Sequence, residues 1–192
     1  MSMSRRLSDS IRRLSTIWAT LAALAVFVLF SALALPRQAA TAETYAGEVG
    51  SPDTRGFYSA EDLYDIAEAY GETGRRLYVR SRFTFDVVWP LVYALFLTTA
   101  ISWVYARAFS PDSRWQLANL APLLGAGFDY LENAALSLVM VRYPSRTPVV
   151  DTLAPAITVM KWLFVGGSFL LLTIGIAVGA WRWLASRKRT AQ

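Results

Sequence analysis

PLLGAGFDYLENAALSLVM, residues 122–140, is almost wholly apolar, yet Asp129, Glu132 and Asn133 sit at its middle. Positions i, i+3 and i+4 share one face of a helix. Hydrocarbon offers such groups no hydrogen-bond partner, so this stripe must face protein or trapped water. Lys161 lies inside the last apolar segment of the chain. Working outward from these four groups, the chain reads as all-α. The expected fold is a four-helix transmembrane bundle whose spans bring the groups together, with a helical extracytoplasmic insertion between spans 1 and 2.

Composition supports a membrane class. Of 192 residues, 55% are hydrophobic and 17% charged, and mean hydropathy is +0.35. Soluble domains carry about 25% charged residues. The net charge of +5 comes mostly from Arg scattered at span ends, which fits the positive-inside rule and not a nucleic-acid face. There is no Cys and no His. That removes disulfides, thiol redox chemistry, a Ser–His dyad, and haem or zinc held by His or Cys. No metal or cofactor is implied. Carboxylate, amide, hydroxyl, amine and guanidinium chemistry is left.

Taken in order, residues 1–14 carry Arg5, Arg6, Arg12 and Arg13 beside Leu7, Ile11 and Leu14, a short amphipathic lead-in. Span 1, about 16–35, has no charge from Ile17 to Leu35 and ends at Pro36. Its apolar run exceeds the about 7–15 residues of a signal-peptide core, so it reads as an uncleaved anchor. Residues 37–82 form the insertion, beginning as loop. Ser59-Ala-Glu-Asp opens a helix over about 60–70 with Leu63, Ile66, Ala67 and Tyr70 on its apolar face, and Gly71 stops it. Acids from Glu43 to Glu72 are followed by the basic cluster Arg75, Arg76, Arg80 and Arg82, and pairing between them would fold the insertion over the mouth of the bundle. Spans 2, 3 and 4 run over about 83–106, 115–141 and 153–183. The Arg-bearing flanks place both termini in the cytoplasm and residues 37–82 outside. The basic tail is Arg182, Arg187, Lys188 and Arg189.

Helix rise of about 1.5 Å per residue puts Glu132, Lys161, Tyr93 and Asn133 at a common depth, about 13–15 Å below the outer surface. Asp129 falls one turn deeper and Asp86 near the rim. These six residues are the ligand-site candidates, with Arg75, Arg76 and Arg82 as a possible rim. The competing reading is polar glue that fixes which helices touch, each such contact contributing about 0.6–2 kcal/mol. The stretch Asp53-Thr-Arg-Gly-Phe-Tyr has two readings, a binding loop or a turn followed by hydrophobic docking, and the second is favoured. Gly175-x-x-x-Gly179 is a small-residue face that permits close helix contact within the chain or in a homo-oligomer.

The run from Tyr58 to Trp103, together with FDYLENAAL on span 3 and TVMKW on span 4, resembles a group of uncharacterised bacterial four-span integral membrane proteins. In these an outer helix ends in YG-x-x-GR-x-x-Y, and span 2 opens with Asp-x-x-x-Pro-x-x-Tyr, here Asp86, Pro90 and Tyr93. The resemblance implies architecture only; the expected setting is a bacterial inner (plasma) membrane. A more distant analogy is to the sterol-isomerase and sigma-2-receptor fold, which also buries acids in an outward or lumenal pocket. Those isomerases use His beside the acids, so for a chain without His the analogy implies a lipid-like ligand and not that chemistry. The leading expectation is therefore binding or carriage of a lipid-like or amphipathic small molecule. The alternatives are a membrane-lipid-modifying enzyme with Asp129 as the proton-transfer group, and a non-catalytic assembly subunit.

Overall fold

The computed structural model describes residues 2–190, with side chains through 187. Those residues form seven α-helices and three short 3-10 segments, without a strand. The side chains of Lys188 and Arg189, part of the expected basic tail, lie outside the described residues.

Helix α1 (Met3–Leu14) lies across one end of the bundle. Ser8 donates to the Gln116 carbonyl at 3.0 Å, and the Asn119 amide donates to the Ser8 carbonyl at 3.2 Å. Arg5 holds the Asp112 carbonyl at 2.5 Å. Thr16 caps α2 (Ile17–Ala46) by accepting from the Ala19 N–H at 3.2 Å. The first span was expected to end at Pro36, but α2 continues to Ala46. A proline removes one backbone bond, and the Ala-rich stretch beyond it has good helix propensity. Docking then holds the extension. The buried Tyr45 ring meets Tyr70 edge-on at 5.4 Å and Tyr78 at 6.0 Å. With 30 residues, α2 is about 45 Å long, against a hydrocarbon core of about 30 Å.

Gly47 and Gly50, at φ +49° and +71°, turn the chain back. A 3-10 turn at Pro52–Thr54 follows. Ser59 then opens α3 (Ala60–Ala69) with a reciprocal capping box. Its hydroxyl accepts from the Asp62 N–H at 3.1 Å, and the Asp62 carboxylate accepts from the Ser59 N–H at 2.7 Å. Leu63, Ile66, Ala67 and Tyr70 are all buried, so the apolar face of α3 packs on the bundle. Gly71 ends α3 as expected, and at φ +60° it also begins α4 (Gly71–Arg82).

A break at residues 83–84 separates α4 from α5 (Phe85–Ala108). A 3-10 segment at Arg114–Leu120 leads into α6 (Ala121–Arg142), and the chain closes with α7 (Val150–Thr190). The α-helix thus begins six residues after Trp115, where the sequence reading opened its third span. Three helical stretches are long and apolar enough to cross a membrane: Ile17–Val49, Gly71–Ala108 and Val150–Arg187. Helix α6 is not among them, because Asp129, Glu132 and Asn133 dilute its apolar character.

Helix α5 is central. It packs against α2, α6 and α7, and α6 runs along α7. Helix α2 packs on α4 and α5, and its Phe27 ring lies 6.2 Å from the Phe169 ring of α7. The two ends of the bundle are distinct. At one, α1 meets the 110–116 turn and Arg182 lies over the Phe109 ring at 5.9 Å. At the other, the Tyr64 hydroxyl donates to Asp151 at 3.0 Å and accepts the Thr147 N–H at 2.6 Å.

Candidate functional site

Two cations organise the interior. Arg82 is the last residue of α4 and is 6% exposed. Its Nη1 contacts Asp53 Oδ2 at 2.9 Å, and its Nε lies 3.1 Å from Asp86 Oδ2 one turn on. Its guanidinium also covers the Tyr78 ring at 4.6 Å. Lys161, on α7, contacts Glu132 Oε2 of α6 at 2.6 Å, and Glu132 is fully closed off from solvent. A charged pair so deep persists because each member satisfies the other; removing either leaves an uncompensated buried charge.

Asp53 joins the two halves. Its carboxylate takes Arg82, while its backbone carbonyl accepts from Lys161 Nζ and from Trp162 Nε1, both at 3.0 Å. The Ser51 hydroxyl also donates to this carboxylate. Burial alone would raise the Asp53 carboxyl above its ordinary value; the fields of Arg82 and Lys161 more than offset that and hold it lower. The loop at 50–56 is therefore pinned into the bundle by the charges it neutralises.

Asp129 is placed differently. The Tyr93 hydroxyl donates to its Oδ2 at 3.0 Å, and the Asn133 amide donates to its Oδ1 at 3.4 Å and to the Asp86 carbonyl at 3.5 Å. No cation stands within ion-pair distance of Asp129 among the described residues. Four carboxylates thus face two cations, and Asp129 is the member held by neutral donors only.

A cavity of about 420 Å³ opens beside this cluster, between α2 and α7 and against α5. Asp53, Arg82, Asp86, Tyr93, Asp129 and Lys161 form its polar end. Leu35, Ala39 and Ala42 of α2, Phe85 and Trp89 of α5, and Val165 and Phe169 of α7 form its apolar walls. Trp89 is braced by Phe30 and Phe27 at 5.8 Å each. Trp162 and Phe169 are exposed, so the cavity's mouth reaches the side of the bundle. This volume lies within the range of small-molecule sites, about 300–1,000 Å³.

Of the residues singled out from sequence, Asp86, Tyr93, Asp129 and Lys161 line the cavity. Glu132 and Asn133 stand behind it, bonded to Lys161 and Asp129. Arg82, expected at the rim, lies at the centre. Arg75 and Arg76 stand elsewhere. Arg75 donates to the Ala67 carbonyl at 2.8 Å and covers the Tyr143 ring at 4.5 Å. Arg76 forms an exposed pair with Glu72 at 3.3 Å. Both line a separate cavity with Met140 and Val141. Gly175 faces Tyr105 within the chain: a Cβ there would lie 2.4 Å from Tyr105 Cε2, whereas Gly179 is open.

Asp53, in the stretch read by preference as a turn, and Trp89 and Trp162, which were not among the candidates, also line the cavity. One signal was available for Trp89, which shares a helix face with Asp86 and Tyr93 at i, i+3, i+7 spacing. Among the described residues no three or more His, Cys, Asp or Glu side chains are placed to hold a metal ion. The arrangement offers a hydrogen-bonded carboxyl–phenol pair, two engaged cations and an apolar chamber. The chain matches no protein-family model, no curated protein and no solved structure, so geometry and chemistry carry the functional reading.

Proposed function

We propose that this chain is a four-span integral membrane protein of a bacterial inner membrane that binds or carries a lipid-like or amphipathic small molecule between α2 and α7. Both termini are cytoplasmic, and α3 with the 47–59 loop lies outside. The carrying observation is the side-opening cavity of about 420 Å³, polar at its inner end and apolar along its walls. An amphipathic molecule has that same division, and a lateral mouth admits it from the bilayer. The fourth span is α6. Its 22 residues extend about 33 Å, and Leu124, Leu131, Leu138 and Val141 are exposed along it.

Ala39 lines the cavity from the exposed side of α2, so Ala39→Trp fills the chamber without disturbing the core. In detergent, a bacterial lipid extract should raise the wild-type Tm and leave that of Ala39→Trp unmoved. Equal shifts in the two proteins, or none in either, would sink the proposal. A lipid-modifying activity is the second reading, favoured by the buried Tyr93–Asp129 hydrogen bond at 3.0 Å, which is a proton-transfer arrangement. Mass spectrometry of the lipid before and after incubation, with Asp129→Asn as control, separates turnover from binding.

A further inference from the structure

The polar end of the cavity has a definite charge preference. Arg82 is engaged by Asp53 and Asp86, and Lys161 by Glu132 and the Asp53 carbonyl. Neither cation is left over for an incoming anion. Asp129 has Tyr93 and Asn133 but no counter-ion. An anionic head would meet a cluster in which four carboxyl groups outnumber two cations. A neutral head would leave Asp129 to shed its charge by taking up a proton, because an ionised carboxylate without a partner is expensive in low dielectric. A cation would complete the set. The walls agree: Phe85, Trp89, Trp162 and Phe169 line the same space as Asp129, and ring faces attract ammonium groups at close range.

We infer that the occupant carries a cationic head, an alkylammonium, seated on Asp129 among the aromatic walls of the cavity, with its alkyl chain leaving through the gap between α2 and α7. This rests on the binding role proposed above and adds the charge of the ligand. Two sources share that chemistry: a free long-chain amine, and a phospholipid with a choline or ethanolamine head.

The test uses the full chain in a nonionic detergent and four twelve-carbon probes below their micellar concentrations: dodecyltrimethylammonium, dodecylphosphocholine, dodecanol and dodecanoate. Wild-type Tm and Trp fluorescence are followed, since Trp89 and Trp162 line the cavity. The ammonium probe should bind at least about tenfold more tightly than dodecanol or dodecanoate, a difference of one decade in Kd. In Asp129→Asn that preference should vanish while dodecanol binding stays. The comparison among probes needs only the wild type, so it stands even where the variant fails to fold. Tighter binding of dodecyltrimethylammonium than of dodecylphosphocholine assigns a free amine, and the reverse order a phospholipid head; either supports a cationic head. Dodecanoate or dodecanol binding as well as the ammonium, with Ala39→Trp blocking all of them, overturns the cation and leaves the pocket standing. Binding of every probe unchanged by Ala39→Trp overturns the pocket itself.

Discussion

Glu132 and Lys161 show what a buried charge demands. The 2.6 Å contact is closed off from solvent on the Glu132 side. Lys161→Met strands a carboxylate in the core, and the expected loss is about 3–5 kcal/mol. Adding Glu132→Gln should return most of it, because two neutral side chains have no charge to desolvate. Chemical denaturation in mixed micelles would show this; a double variant no more stable than the single would mean that Lys161 acts mainly through its bond to the Asp53 carbonyl. Asp53 supports a second prediction. Burial pushes its carboxyl up, but Arg82 and Lys161 prevail and hold it below its ordinary 3.8. A folded-state value below the unfolded one contributes stability that is present at neutral pH. That contribution is lost as pH falls through the folded value, below about 4. The stability gap between wild type and Asp53→Asn should therefore be wide at neutral pH and narrow on acidification. A constant gap across that range would refute the electrostatic pinning of the loop. How legible these residues were in the sequence follows from the same physics. Asp129, Glu132, Asn133 and Lys161 stand out because each is a polar exception in an apolar run. Asp53 does not, since Ser51-Pro-Asp-Thr-Arg-Gly has the composition of a solvated turn. What draws it inward is the pair of cations at Arg82 and Lys161, far from it along the chain.

At the scale of elements, local rules set the boundaries except where packing intervenes. The reciprocal cap at Ser59 was visible as Ser-Ala-Glu-Asp, and α3 begins one residue later. Ser59→Ala should cost about 1 kcal/mol and raise the protease sensitivity of residues 47–60, with α5 to α7 unaffected. Unchanged proteolysis would show that the buried Leu63 and Ile66 hold α3 without its cap. Pro36 misled because a proline weighs heavily in a local reading, while the three-ring contact of Tyr45, Tyr70 and Tyr78 that carries α2 past it is nonlocal. Gly175 was visible as a small-residue position, but its partner was not. The answer is Tyr105 of α5, whose hydroxyl also donates to the Leu171 carbonyl at 2.8 Å. With Tyr105 and Val104 atoms at 2.4–2.9 Å from any added Cβ, Gly175→Leu forces α7 off α5. Overpacking of this kind costs about 1–3 kcal/mol. Gly179→Leu meets open space and should leave the Tm unchanged. Equal losses in both variants would point instead to a shared interface between copies of the chain.

For the whole molecule, the question is how many times the chain crosses the bilayer. Three helical stretches qualify on length and composition; an odd number of crossings would put the two termini on opposite sides. The four-span reading proposed above requires an even number. Helix α1 is tied to the 110–116 turn by Arg5 and Ser8, and Arg182 of α7 lies over Phe109 at that same end. The 143–149 turn and α3 are tied together at the far end through Tyr64. On that proposal α6 runs the full height between the two ends, its polar stripe of Asp129, Glu132 and Asn133 tolerated because Tyr93 and Lys161 meet it inside the bundle. The absence of Cys from the chain makes the test clean. Ser4→Cys, Glu61→Cys and Ala185→Cys all fall on exposed positions. In sealed, right-side-out vesicles a membrane-impermeant maleimide should label Glu61→Cys at once, and Ser4→Cys and Ala185→Cys only after the membrane is opened. Labelling of Ser4→Cys and Ala185→Cys on opposite faces would mean that α6 does not cross. Asp129 and Glu132 would then sit at a water interface, and the cost of burying them, from which the site was inferred, would disappear.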